Sequence, residues 1–254
     1  RVANGNFSQI GNEEVTNGNF SQIGSEEITN GDFSNGAANW VNINNKATFE
    51  NSSVIFSNDA KIYQNVTSAS SLIYKIVIDF SNISGDGIKI LVGNGNSFVY
   101  YSVSDIVNNN NQIVAYSNFT GTGLLFIYSQ STNTNATITN VSVKEVGQDW
   151  TFGTGWSTDG TKAIFDGGAD EALQQSSVVT NNKFYKVVFD VADRTTGSLQ
   201  LRLGNTGVVD ATITSNGTYE NYFLSDGTSL YFRAIGGFDG SITNITVKEV
   251  GQHW

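Results

Sequence analysis

Residues 72–80 read LIYKIVIDF, and residues 183–191 read KFYKVVFDV. In the first stretch Ile76, Ile78 and Phe80 alternate with Lys75, Val77 and Asp79. In the second, Val187, Phe189 and Val191 alternate with Lys186, Val188 and Asp190. A period of two is the mark of a strand with one buried face. The pattern continues downstream, where Ile88–Asn94 (IKILVGN) matches Leu199–Asn205 (LQLRLGN). Leu124 to Tyr128 and Leu230 to Arg233 read as late strands, and Ile138 to Val146 and Ile242 to Val250 as closing ones. Asp86-Gly87, Asp159-Gly160, Asn216-Gly217, Asp226-Gly227 and Asp239-Gly240 supply the turns. Short strands at this spacing predict an all-β fold of antiparallel sandwiches. Ala169 to Gln175 is the only short stretch that reads as helix.

The matching stretches belong to a long internal repeat. Residues 141–150 read VSVKEVGQDW and residues 245–254 read ITVKEVGQHW. Overlaying these endings pairs Trp40 with Trp156, and Asp32-Phe33 with Asp149-Trp150. The chain therefore divides into a leader over 1–29, a first sandwich module over 30–147 and a second over 148–252. Residues 253–254 are the opening of a further module. The leader carries a shorter repeat of period 13: NGNFSQIGNEEVT at 4–16, NGNFSQIGSEEIT at 17–29, and NGDFS at 30–34. Thirteen residues cannot bury a core alone, so each copy must lean on something else. The leader reads either as a weakly ordered duplication or as spare first strands for a neighbouring chain's sheet edge. Phe7, Ile10, Phe20 and Ile23 are its candidate assembly residues.

Composition narrows the chemistry. Of 254 residues, 13 are Lys or Arg and 23 Asp or Glu, for a net charge of −10. That balance argues against phosphate-backbone binding, which needs basic patches. There is no Cys, hence no disulfide and no thiolate nucleophile, and the lone His253 excludes a histidine-ligated metal centre. No run of about 18 apolar residues occurs, so no membrane insertion is expected. The absence of Met is expected of a processed product or a segment of a longer chain. About thirty Asn residues, with 27 Gly, favour turns over helices.

The opening ITNGDFSNGAANW, the strands YKIVIDF and YKVVFDV, and the ending ITNVSVKEV carry a family likeness. The chain resembles jelly-roll carbohydrate-binding modules of families 4 and 9, as found in tandem in tail-fibre-like and structural proteins of marine bacteriophages. The resemblance spans residues 28–250 and implies a jelly roll, often with a structural calcium ion, sometimes with a sugar-binding face. It implies no active site.

Candidate residues follow from chemistry. Exposed aromatics stack on the apolar C–H faces of sugar rings. Tyr100, Tyr101, Tyr219, Tyr222 and Tyr231 are the glycan-binding candidates, and alternation places Tyr100 and Tyr101 on opposite faces. Trp40, Trp156, Phe33 and Trp150 read as core. Calcium needs clustered oxygens; Asp32 and Asp149 at the module openings, and Asp166, Asp170 and Glu171 in one acidic loop, are the candidates. Paired carboxylates Asp79/Asp190 and Glu145/Glu249 recur in both modules, which suits a structural role, so no catalytic residue is assigned.

Three functions remain open at this point. One is a non-enzymatic structural or adhesive segment of an extracellular or virion appendage, fibre-like and carrying surface-glycan binding to cell-surface polysaccharide. Another is a self-assembling filament or spacer that pairs with other copies of itself and has no glycan ligand. The third is a set of accessory carbohydrate-binding modules of a secreted glycoside hydrolase.

Overall fold

A computed structural model describes residues 10–66, 72–93, 98–119, 123–204 and 209–251. It is almost entirely antiparallel β and divides into two compact units, residues 24–145 and residues 1–23 with 146–254. Two leader strands come first, β1 (Ile10–Glu13) and β2 (Ile23–Glu26).

The unit over 24–145 is β-sandwich-like. One sheet has β2 and, in spatial order, β10 (Gln112–Asn118), β7 (Ile73–Ser84), β12 (Asn135–Val146), β5 (Ser53–Phe56) and β4 (Ala47–Glu50). The other runs β3 (Val41–Asn42), β6 (Lys61–Asn65), β11 (Leu124–Ser129), β8 (Ile88–Val92) and β9 (Val99–Tyr101). Their inner faces meet in one core, with Ile76, Ile78, Val54 and Ile138 from the first sheet and Ile62, Ile90, Leu125 and Ile127 from the second. The second unit repeats the plan with β13 (Thr151–Phe152), β14 (Trp156–Thr158), β15 (Ala163–Asp166), β16 (Ala172–Gln175), β17 (Phe184–Gly204), β18 (Ala211–Ile213), β19 (Gly217–Leu224) and β20 (Ser229–Val250). Here β17 and β20 are so long that one nine-stranded sheet, with β1 on β20, wraps the whole core.

The expected helix at 169–175 is instead strand β16. Leu173 and Gln175 point inward there, while Ala172 and Gln174 stay half-exposed, and the strand pairs with β20. The one helix among the described residues, α1, covers Val103–Asn108. Ser102 caps it: its hydroxyl accepts from Asp105 N, and the Asp105 carboxylate accepts from Ser102 N at 3.0 Å. The Ser102 hydroxyl, which donates to Asp105 Oδ2 at 2.6 Å, and then the Ser102 N–H hold the Asp105 carboxyl below its usual range.

The leader is not a separate domain, and each of its copies opens a different unit. Strand β2 runs beside β12, and Ile28 and Phe33 bury in the core of residues 24–145. Strand β1 pairs with β20 (Ile10 with Val250, Glu13 with Lys248), and Val15 and Phe20 bury in the other core. The two sets of bonds correspond at a shift of 13 residues. Gln64 grips Thr29 through N–H and C=O at 2.7 and 2.9 Å, and Gln175 grips Thr16 at 3.0 and 2.9 Å. The Trp40 indole N–H donates to Asn30 O, as the Trp150 indole does to Asn17 O. Phe33 and Phe20 both lie at positive φ, 54° and 58°, a costly state for an aromatic that their complete burial offsets. Gly31 and Gly18 lie so close to Val141 O and Ile245 O that a Cβ would sit 2.0 Å from either oxygen.

These correspondences correct the sequence overlay. The partner of Trp40 is Trp150, not Trp156, and the partner of Asp32 is Asn19, not Asp149. The boundaries at 29 and 147 move as well, because residues 24–29 belong with the first sandwich and residues up to 23 with the second. Phe7 and the expected opening at 253–254 lie outside the described residues.

Replacing Phe20 by Ala is expected to cost about 3–5 kcal/mol in the unit that contains Trp150, and to spare the unit over 24–145. Phe33→Ala should do the reverse. Urea unfolding followed by amide exchange assigned to each unit checks both.

Candidate functional site

The outer face of the five-stranded sheet in residues 24–145 gathers a row of aromatics, one exposed and the others half-buried. Cross-strand register sets Lys61, Tyr128, Lys89 and Tyr100 side by side on β6, β11, β8 and β9. Alternation forces them outward, because Ile62, Ile127 and Ile90 between them face the core. One step along, Tyr63 stands opposite Phe126, their ring centroids 5.1 Å apart. Phe126 lies 5.7 Å from Tyr128, and Phe98 bridges Tyr128 at 5.4 Å and Tyr100 at 6.5 Å. The two lysines sit over this surface, Lys61 at 5.6 Å from the Tyr128 centroid and Lys89 at 5.2 Å from that of Phe98. Lys61 also pairs with Asp59 at 3.0 Å. Burial holds the Tyr128 phenol above its ordinary pKa, with Lys61 pulling the other way.

The sequence candidates divide on this frame. Tyr100 is on the platform and 59% exposed. Tyr101 turns in against the core, and its desolvated phenol is pushed up. Tyr219 is likewise half-buried, stacked 5.4 Å from Phe189 with its hydroxyl on Ser215 O, so neither offers a free ring face. Tyr222 is 56% exposed on β19, with Lys186 at 5.9 Å from its ring. Tyr63, Phe98, Phe126 and Tyr128 were not among the candidates. The signal lay in the outward places of KIYQN and LLFIYS, where aromatics alternate with buried Ile and Leu.

In the second unit, register puts Gln174, Tyr231 and Arg202 in one outward row and Ala172, Arg233 and Gln200 in the next. These positions correspond to Tyr63, Phe126 and Leu91, and to Lys61, Tyr128 and Lys89. The face is therefore polar, with Arg202 and Arg233 set near Asp170 and Glu171, where its counterpart is aromatic. It forms an open groove of about 360 Å³, bordered by Asp170 and Glu171. The Arg202 guanidinium donates to Gln200 Oε1 at 2.6 Å. Tyr231 lies in this groove.

The carboxylates flagged for calcium do not assemble. Asp32 accepts from the N–H and hydroxyl of Ser34, at 3.1 and 2.9 Å, and this turn depresses its pKa. Asn19 makes the same turn with Ser21 without a charge. Asp149 is an exposed turn residue at φ 71°, and Asp170 accepts from Gly236 N at 3.0 Å. Among the described residues no group of three Asp, Glu, His or Cys side chains is placed to hold a metal ion.

The duplicated pair Asp79 and Asp190 does structural work. Asp79 accepts from Gln112 Nε2 at 2.6 Å and Asn140 Nδ2 at 3.0 Å. Asp190 accepts from Thr218 at 2.5 Å and Asn244 Nδ2 at 2.7 Å. Each ties three adjacent strands together.

No family model matches the chain, and no curated protein matches it. Among solved structures, it is similar to an allantoicase from Saccharomyces cerevisiae, at 9% identity and a TM-score of 0.30 over 76% of this chain and 77% of that one. A second allantoicase structure gives 9% identity and a TM-score of 0.32 over 75% and 77%. AerE from Microcystis aeruginosa gives 7% and 0.22 over 83% and 95%. Likeness at this level carries no functional argument.

Asp79→Ala and Asp190→Ala are each expected to lower stability by about 1–3 kcal/mol, since each leaves an amide donor without its acceptor. Equal losses in urea titration would mark a shared structural role. A silent Asp79 beside a costly Asp190 would break the equivalence.

Proposed function

We propose that the chain is a non-enzymatic adhesive segment of an extracellular or virion-surface appendage, made of tandem jelly-roll modules that bind surface glycans. The observation that supports this reading is the row Lys61–Tyr128–Lys89–Tyr100, flanked by Tyr63, Phe126 and Phe98. The sheet sets these rings on its outer face, Tyr100 exposed and Tyr63, Phe98, Phe126 and Tyr128 half-buried. Aromatic faces take the apolar side of a pyranose, and lysine ammonium groups take its hydroxyls or carboxylates. The groove of the second unit has a different chemistry. Arg202, Arg233, Gln174 and Tyr231 favour hydrogen bonding to a more polar or anionic sugar. One chain would then read two features of the same polysaccharide.

The second reading is a spacer that assembles without any glycan, although β1 and β2 pair within their own chain, on β20 and β12. Affinity electrophoresis of the whole chain through gels of neutral and uronic-acid polysaccharides separates the two. Tyr128→Ala and Tyr100→Ala are each expected to weaken retardation about tenfold, the size of one aromatic contact. Arg233→Ala should weaken it only on the anionic polymer. Free migration of the unaltered chain in every gel would remove the glycan reading and leave the spacer.

A further inference from the structure

The aromatic face of residues 24–145 is lopsided in charge. Its two lysines flank the same residue, Tyr128, one on each neighbouring strand. Lys61 is offset by Asp59, whose carboxylate lies 3.0 Å from the ammonium. Lys89 enters no ion pair among the described residues. Its ammonium is held instead between two rings, 5.2 Å from the centroid of Phe98 and 5.9 Å from that of Tyr128. Ring faces stabilise the charge, yet they satisfy its three directional N–H donors only weakly. In a chain of net charge −10, an ammonium without a carboxylate stands where a ligand lying on the rings would meet it.

The opposite end of the face is aliphatic. Val41 stands outward beside Tyr63, and Ile43 follows it, its N–H donating to Lys61 O at 2.9 Å. Both are 44% exposed. Positive charge is thus concentrated toward β8 and β9, where Tyr100 is the register partner of Lys89.

The second unit supplies the comparison. Gln200 stands where Lys89 does. Thr151, opposite Gln174, takes the place of Val41, and Gly153, whose N–H donates to Ala172 O at 2.9 Å, takes that of Ile43. The same strands pair there without the lysine and without the aliphatic edge, so neither is required to build the sheet.

We infer that Lys89 is a specificity-determining residue of the aromatic face, donating to the carboxylate of an acidic sugar bound across Tyr128 and Tyr100. The inference rests on the glycan reading above and narrows it: the ligand of this face is a uronic-acid polysaccharide, oriented with a carboxylate toward β8 and β9 and an apolar sugar face toward Val41 and Ile43. An ammonium–carboxylate hydrogen bond is charge-assisted and directional, which an ammonium–hydroxyl bond is not to the same degree. Repulsion from the chain's distant acidic groups is largely screened beyond about 8 Å at physiological salt, so the local contact decides the preference.

Affinity electrophoresis at fixed ionic strength compares one uronic-acid polysaccharide with the same polymer after its carboxyl groups are reduced to primary alcohols. Full-length chains carrying Arg233→Ala are used throughout, which removes an arginine of the second unit's groove. Lys89→Gln installs the counterpart residue. It is expected to lower the preference for the acidic form about tenfold while retention by the reduced form holds. Lys89→Arg keeps the charge and should keep the preference. Val41→Thr should weaken retention by both forms to the same extent. An unchanged preference in Lys89→Gln overturns the inference. So does an equal loss on both forms, which would make Lys89 a support for the Phe98 ring. Either result leaves the glycan reading standing if Tyr128→Ala still weakens retention, whereas free migration of the unaltered chain in both gels removes the reading and the inference together.

Discussion

Everything in these sandwiches hangs on one indole hydrogen bond and the phenylalanine beneath it. Trp40 donates to Asn30 O and Trp150 to Asn17 O, and each bond fixes an Asn at positive φ. The Asn side chain closes the turn from within: Asn30 Oδ1 accepts from Asn35 N, and Asn17 Oδ1 from Gln22 N, both at 3.0 Å. The turn in turn throws Phe33 or Phe20 into the core at a backbone angle that few aromatics adopt. The strain is local, whereas the burial it enables joins the opening segment to the core of its unit. An Ala at either Asn would remove the turn that aims the ring, not merely one bond.

This dependence explains why the short leader repeat is so regular. Thirteen residues contain the complete set of groups that a slot requires, and few of them are free to vary. Thr16 and Thr29 meet Gln175 and Gln64, which are buried and satisfied through both amide atoms. A buried amide without such a partner would be expensive, so segment and slot constrain each other. The long repeat obeys the same logic at its Asp79 and Asp190 clamps, while the residues between the clamps differ widely.

Strand identity was legible in the sequence because a period of two is imposed by the backbone and needs no knowledge of neighbours. The match of Ile88–Val92 to Leu199–Leu203 survives into the register, where Ile90 stands beside Ile127 and Leu201 beside the equivalent residue, Phe232. What failed depended on partners remote in sequence. Trp150 follows the closing strand of one unit yet packs on Phe20, which precedes that unit, so a linear overlay assigned it to the wrong slot. Ala169–Gln175 contains good helix formers, but pairing with β20 decides its state. Alternation set Tyr100 and Tyr101 on opposite faces, but which of the two is exposed depends on which face the opposite sheet covers. Tyr63 and Tyr128 went unnoticed for the same reason: their platform exists only once four strands are set side by side.

Matching and differing positions divide cleanly between the inward and outward faces of these paired strands. Inward positions match across the units: Ile62 with Leu173, Ile127 with Phe232, Ile90 with Leu201. The outward neighbours of those same residues do not: Tyr63 stands where Gln174 does, Tyr128 where Arg233 does, Lys89 where Gln200 does. Core exchange is limited by volume, since each lost or added methylene is felt, whereas an outward side chain on a paired strand changes little in the fold. A duplicated sandwich therefore keeps its interior and is free to rewrite one face. The aromatic face and the arginine face are what such rewriting produces when both copies keep the same scaffold but meet different chemistry. The two units thus differ in those two rows of outward residues and agree in their opening segments.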